Sequence, residues 1–322
     1  MNRTMLNAVL ALIGQLLLLP GAQGFPDRPV KLVVSSPAGG PPDIMARLLT
    51  DRMGAALGQP VVVENRPGGA GGTVGAKTVL AAEPDGHTLM MGSTSSLLIA
   101  PLIYKNAGYT SDTFAPVAGL SESAEILAVH PSVKANSVAE LIELAKSQPG
   151  ALRYGSAGIG TLPHLEGELL KARAHIDISH IPYRGGGPAL TGLLGGEVHI
   201  FFSALTQMLP YIHDGRLKGL AVTSETRSPL APELPTMVES GFDHFVTASI
   251  NFIVAPPGTP VAVRHQLSDV VARALASEEV KQAFSKIGAY ARPASPEELA
   301  SYLVRQQQRW SRIVEATRIS VD

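Results

Sequence analysis

Twice in this chain a short apolar strand runs through clustered glycines directly into a helical pattern, and that junction restricts the fold more than any other feature. Residues 31–43, KLVVSSPAGGPPD, carry it first, and Ile44, Leu48, Leu49, Met53 and Leu57 follow at helical spacing. Residues 152–163, LRYGSAGIGTLP, carry it again, with Gly155, Gly158 and Gly160 ahead of the next helix. Glycine before a helix lets the backbone approach a ligand closely. The first turn then offers unpaired amides at the positive end of the helix dipole. Each junction is an anion cradle, and two cradles in one chain are able to face each other.

The rest of the chain repeats the same alternation, which is the signature of an α/β fold with mostly parallel strands. Strands are expected at residues 30–35, 60–64, 88–91, 176–181, 198–202, 217–223 and 248–255, with two more between 115 and 130. Ser137 is the expected N-cap of a helix, with Glu140 as its capping-box partner. A helix over residues 208–214 follows later. A long polar helix over residues 296–314 carries the single tryptophan, Trp310, and is expected on the outside of the first domain.

The 322 residues suffice for two domains, each with its own core. A formal net charge of −1 with no basic run excludes a nucleic-acid partner. At the N-terminus Arg3 precedes an uncharged apolar run over residues 8–19 and then Pro20, Gly21, Ala22, Gln23 and Gly24. This reads as a secretory leader cleaved after Gly24, and it is too short for a transmembrane helix. Cysteine is absent, so the core must suffice without disulfides, and a lipid-modified cysteine is excluded. A periplasmic protein is expected.

Motifs for chemistry are missing. The glycine-rich GGAGGTVG, residues 68–75, opens a helix as a dinucleotide fingerprint does, but the following strand ends without the acidic residue that holds a ribose. It is expected as a flexible or cleft-edge loop. No GxxxxGK[ST], GxSxG or HExxH occurs, and the nine histidines form no ligand-spaced set, so no cofactor and no metal are expected. His164 stands beside the second cradle, where it either touches a ligand or serves the helix start. Asp43 in the first turn of its helix is a loop organiser favoured by the dipole. Direct contact, for instance with a ligand amino group, is its second reading.

With both cradles placed, the chain resembles the substrate-binding proteins of tripartite tricarboxylate transporters, the Bug or TctC type. The resemblance rests on PAGGPPDIMARLL, GQPVVVENRPGGAGG, PDGHTL, YGSAGIGTLPHLEGEL, IPYRGGGPAL, LLGGEV, LAVTSETRSP and APPGTP. It implies a two-domain flytrap, with residues 25–122 and 246–322 as domain 1 and residues 123–245 as domain 2. It also implies a carboxylate pinched between the two glycine loops. By position, Ser36, Ala38, Gly39, Gly40 and Asp43 form one wall, lined further in by Ser93, Thr94 and Ser95. Ser156, Ala157, Gly158 and Thr161 form the other wall, with Tyr183 and Ser203 facing the ligand from domain 2. Relatives often carry an aromatic at Ser36, a hydroxyl residue at Pro42, acids at His199 and Ser203, and a tryptophan at Ile250. These departures favour a plain carboxylate over an amino acid.

The expected mechanism is therefore capture without chemistry by a monomeric protein, hinged near residues 121–125 and 241–249. Membrane components of a tripartite tricarboxylate-type transporter, or a sensor kinase, would recognise the closed form. Side chains added at Gly39 and Gly40 are expected to block closure. The competing reading is a serine-dependent hydrolase or transferase using Ser156, or a serine among residues 93–96, with His164 as base.

Overall fold

The computed structural model describes residues 24–287 and 289–317. All of the expected leader except Gly24 lies outside them. Strand β1 (Val30–Val34) buries four of its five residues. Gly40 then caps α1 (Pro41–Leu57), with proline at the start of the helix, and Gly58 ends it in the left-handed region at φ 70°. The chain continues through β2 (Val61–Asn65), α2 (Thr73–Leu80) and β3 (Thr88–Ser93) into a π-helical turn (Thr94–Ile99) and the short α3 (Ala100–Ile103). β1 lies between β2 and β3 and is parallel to both, with Leu32 opposite Val63 and Leu89. The carboxyl ends of β1 and β3 therefore open on one rim, where a doubly wound sheet binds its ligand.

Next comes β4 (Ala115–Val129), one strand of 15 residues where two were expected. Register shifts between Pro116 and Ala118 and between Gly119 and Ser121 break its alternation, and these bulges gave the sequence the look of a strand boundary. After it come α4 (Val138–Ser147), β5 (Arg153–Ser156), α5 (Leu162–Ala174), β6 (Ser179–Pro182), α6 (Gly186–Leu194), β7 (Ile200–Ala204), α7 (Leu205–His213) and β8 (Lys218–Val222). The chain closes with β9 (Ala248–Ala255), α8 (Val261–Ala276), α9 (Glu278–Lys286), β10 (Tyr290–Ala294) and α10 (Pro296–Thr317).

The strands run in the order β2-β1-β3-β9-β4-β7-β5-β6, with β8 and β10 also paired to β4. Parallel pairing joins β1 to β2 and β3, and β5 to β6 and β7, but β3 pairs antiparallel with β9, and the sheet is mixed where the alternation suggested mostly parallel strands. The pairs made by β4 are all antiparallel, because neighbours from both ends of the sheet run back along it. The front of β4 joins β9 and β10 in a first half, and residues 125–129 join β7 and β8 in a second half. β4 thus belongs to both halves of the sheet.

One buried cluster crosses between the halves. It contains Val33 and Met90 from the first half, Leu127, Leu165 and Phe202 from the second, and Trp310 and Ile313 of α10. α10 does not lie only on the first half as expected, since it also packs on α5. Two further clusters serve one half each, around Leu49 and Phe284 and around Phe201 and Met208. Strand β10 had no sequence signature, because its residues are half or fully exposed and Pro293 interrupts it.

Candidate functional site between the two glycine turns

The first cradle is shaped from within. The Asp43 carboxylate is 3% exposed and accepts hydrogen bonds from the Gly39 amide at 2.8 Å, Arg47 Nε at 3.1 Å and Asn65 Nδ2 at 3.0 Å. Burial works to raise its pKa, but the bonds from Arg47, Gly39 and Asn65 outweigh that and leave it below the ordinary carboxylate value. With its oxygens turned to the loop's own atoms, Asp43 is an organiser of the turn. Asn65 also donates to the Ser36 carbonyl at 3.1 Å and so ties the loop to the end of β2. The register of β1 against β2 delivers Asn65 beside the turn, and nothing in the local sequence marked it. Gly39 has φ 81°, a conformation glycine adopts without strain. The hydroxyls of Ser35 and Ser36 are enclosed and have no partner.

Further along the same rim, the three hydroxyls of residues 93–95 have separate roles. Ser93 and Ser96 cap each other, with the Ser96 amide donating to Ser93 Oγ at 3.2 Å and the Ser93 amide to Ser96 Oγ at 3.0 Å. Thr94 Oγ1 accepts from the Ile250 amide at 3.0 Å and donates to the Ala248 carbonyl at 3.1 Å, which fastens β3 to β9. Ser95 Oγ reaches the other half, where it accepts the Leu162 amide at 3.1 Å. That amide is the first of α5, so the bond joins the first wall to the helix start of the second cradle.

The second cradle is also held by its own side chains. Ser156 is fully buried, and its hydroxyl accepts the Gly158 amide at 3.1 Å and lies 2.7 Å from His180 Nε2. Thr161 Oγ1 donates to the Gly158 carbonyl at 2.7 Å, and the Ala157 carbonyl accepts from the Gly185 amide at 3.1 Å. His164 Nδ1 accepts from the Gly160 amide at 3.2 Å, and its ring stacks on His180 at 4.2 Å. Burial lowers the pKa of both rings, bringing His180 to about 4, so both are neutral at pH 7. His180, rather than His164, is the histidine beside Ser156. The competing enzyme reading is corrected in its base, since His164 is engaged with the Gly160 amide and not with Ser156.

Two expected contacts of the second wall are engaged elsewhere. Tyr183 Oη donates to Glu197 Oε2 at 3.0 Å, and Ser203 Oγ donates to Gln207 Oε1 at 2.8 Å. Tyr183 still supports the cradle through its backbone, whose amide donates to the Ser156 carbonyl at 3.0 Å. The loop before α2 lies where the two cradles approach each other. A Cβ on Gly71 would lie 2.9 Å from the Gly160 carbonyl oxygen, 3.0 Å from the Ser95 carbonyl oxygen and 3.0 Å from Ala100 Cβ. Gly71, Ser95, Gly160 and the Leu162 amide therefore meet where the two walls touch. Among the described residues no group of three or more His, Cys, Asp or Glu is arranged to hold a metal, and no helix is long and apolar enough to cross a membrane.

Known proteins share this fold. Residues 45–319 match the family model described as tripartite tricarboxylate transporter family receptor. Protein BugT of Bordetella pertussis is 34% identical over 325 residues, covering 98% of each chain. The solved structure of R. palustris Rpa4515 with adipate has a TM-score of 0.85 at 33% identity, covering 92% of this chain and 99% of that one. MatC of Rhodopseudomonas palustris with bound malate gives a TM-score of 0.83 at 33% identity, over 90% of this chain and all of the other. With two glycine-turn walls meeting across a sheet and a family match over most of its length, this chain belongs to the tripartite tricarboxylate transporter receptor family.

Proposed function

We propose that this protein is a periplasmic solute receptor that captures a small carboxylate-bearing metabolite between two domains, residues 25–122 with 246–322 and residues 123–245, and releases it chemically unchanged. The observation that carries this reading is the hydrogen bond from the Leu162 amide to Ser95 Oγ. It brings the helix start of one cradle against the wall of the other, where an anion meets amides from both sides. Contacts made from two walls exist only when the walls are together, so a ligand shifts the population toward closure. Relatives solved with adipate and malate support a carboxylate as the occupant. The leader at residues 1–24 would export the chain, which acts as a monomer. The closed form would be read by the membrane components of a tripartite tricarboxylate-type transporter or by a sensor kinase.

A thermal-shift series with succinate, malate, adipate, glutamate and ATP tests the proposal. A bound carboxylate at a hundred times its Kd stabilises the fold by about 2.7 kcal/mol, and micromolar affinity corresponds to about −8 kcal/mol. Stabilisation by glutamate above all the plain acids would overturn the preference for a ligand without an ammonium group. Stabilisation by ATP alone would overturn carboxylate capture. Replacing His164 with Ala is expected to leave carboxylate binding within a few-fold of wild type. Ester turnover that disappears in Ser156→Ala would instead establish the enzyme.

A further inference from the structure

The two glycine walls offer backbone groups and almost no formal charge. Three charged side chains stand on the loops that build them, residues 35–43, 65–72, 93–96, 156–161 and 183–187: Asp43, Arg66 and Arg184. Two of the three are spent. The Asp43 carboxylate is turned to Gly39, Arg47 and Asn65, and Arg66 pairs with Glu64. Arg184 is exposed and, among the described residues, makes no hydrogen bond or ion pair.

The backbone fixes where Arg184 stands. Ser156 lies opposite Pro182 in the ladder of β5 and β6. The Tyr183 amide then donates to the Ser156 carbonyl at 3.0 Å, and the Gly185 amide donates to the Ala157 carbonyl at 3.1 Å. Residues 183–185 therefore extend β6 alongside the second cradle, at the strand spacing of about 4.8 Å. A Cβ on Gly158 would lie 3.3 Å from the Tyr183 carbonyl oxygen, so the two segments stay close beyond the strand ends.

Alternation along the same segment fixes the face. His180 faces α5, where its ring stacks on His164 and its Nε2 meets Ser156. Ile181 and Tyr183 face the other way, against the cluster around Phe201 and Met208. With a period of two, Arg184 returns to the face of His180, the one on which α5 begins at Leu162. That is the side on which the walls meet at Ser95. Glu197 lies on the opposite face and is taken by Tyr183 Oη. A Cβ on Gly185 or Gly187 would meet nothing within 4 Å, so open space adjoins the arginine.

Amides and a helix start hold one carboxylate through partial charges. A second carboxylate enclosed in the same cleft would be an unpaired charge unless a cation met it. A guanidinium meets it with two parallel donors.

We propose that the captured solute is a dicarboxylate, its first carboxylate held by the amides of the two cradles and its second by the Arg184 guanidinium. The proposal rests on the two-wall reading above and adds the residue that selects for the second charge. A monocarboxylate uses the cradles alone, so Arg184 sets specificity and leaves capture itself to the walls.

Calorimetric titration of the mature protein with succinate and adipate, each beside the monoacid of the same chain length, butyrate and hexanoate, tests it. The wild type is expected to bind at least one diacid about ten- to a hundredfold more tightly than its monoacid. Arg184→Gln is expected to bring that diacid down to the level of the monoacid while leaving the monoacid within a few-fold of wild type. Arg184→Lys should restore part of the preference. A wild type that does not prefer a diacid, a preference that survives in Arg184→Gln, or equal weakening of diacid and monoacid there each overturns the proposal while acids still bind. Failure of all four acids to bind the wild type would instead overturn the two-wall reading, and the proposal with it.

Discussion

Gly71 leaves no room for a methyl group, because its φ of 64° is unfavourable for any other residue and the Gly160 and Ser95 carbonyls crowd its missing Cβ. Gly71→Ala is therefore expected to hold the walls apart and weaken carboxylate binding at least tenfold, with circular dichroism unchanged; calorimetric titration checks this. The sequence pointed to Gly39 and Gly40 for that role, but a Cβ on Gly39 meets nothing within 4 Å, and on Gly40 its nearest neighbour is the Pro37 carbonyl oxygen at 3.4 Å. Paired glycines marked the turn correctly, while which glycine lies at the contact depends on how two distant loops meet. Asp43 was legible as an organiser because its first-turn position suffices for the role. Its partner Asn65 was not, since 22 residues separate them and only strand register joins them. Asp43→Asn, losing the charge-assisted bond from Arg47, is expected to cost about 1–2 kcal/mol in urea unfolding.

Among the elements, α10 departs furthest from its sequence reading. Its polar surface suggested a helix on the outside of one domain, yet Trp310 is 1% exposed and shares a cluster with Leu165 of α5 and Leu127 of β4. A single buried face among many charged residues does not reveal how many neighbours that face serves. Trp310→Ala should lower stability by about 3–5 kcal/mol, read from urea denaturation. The start of α4 was legible almost to the atom. The Glu140 amide donates to Ser137 Oγ at 3.1 Å as a capping box requires, although the Glu140 carboxylate takes the Asn136 amide at 2.8 Å instead of that of Ser137. Strand β4 was legible in content but not in continuity, because bulges interrupt the period-two pattern that defines a strand in sequence.

Across the whole molecule, buried titratable groups pull stability in opposite directions as pH changes. His180 is pushed down to about 4 by burial first and then by His164, so the unfolded chain binds the extra proton between that value and 6.5. Stability on this limb rises with pH. Glu125, raised by burial from 4.5 to about 8, has the opposite effect, as has the wholly buried Glu166: the folded chain binds the extra proton, and stability falls as pH rises through that window. Urea midpoints from pH 5 to 9 are expected to lose their alkaline decline in Glu125→Gln/Glu166→Gln and to show there the rise between pH 5 and 6.5 that the carboxyls offset in the wild type. The α/β class was legible from alternation alone and the cradles from their glycines, but the crossing of halves at Glu125, Thr223 and Thr247 follows from topology that no local pattern encodes. Capture of a carboxylate between the two walls is tested most directly by native mass spectrometry of the freshly purified mature protein incubated with malate, succinate and adipate. The expected result is a one-to-one complex whose ligand, released on unfolding, has the mass of the intact acid. A spectrum showing only ligand-free protein, a bound nucleotide or a chemically altered acid would contradict it.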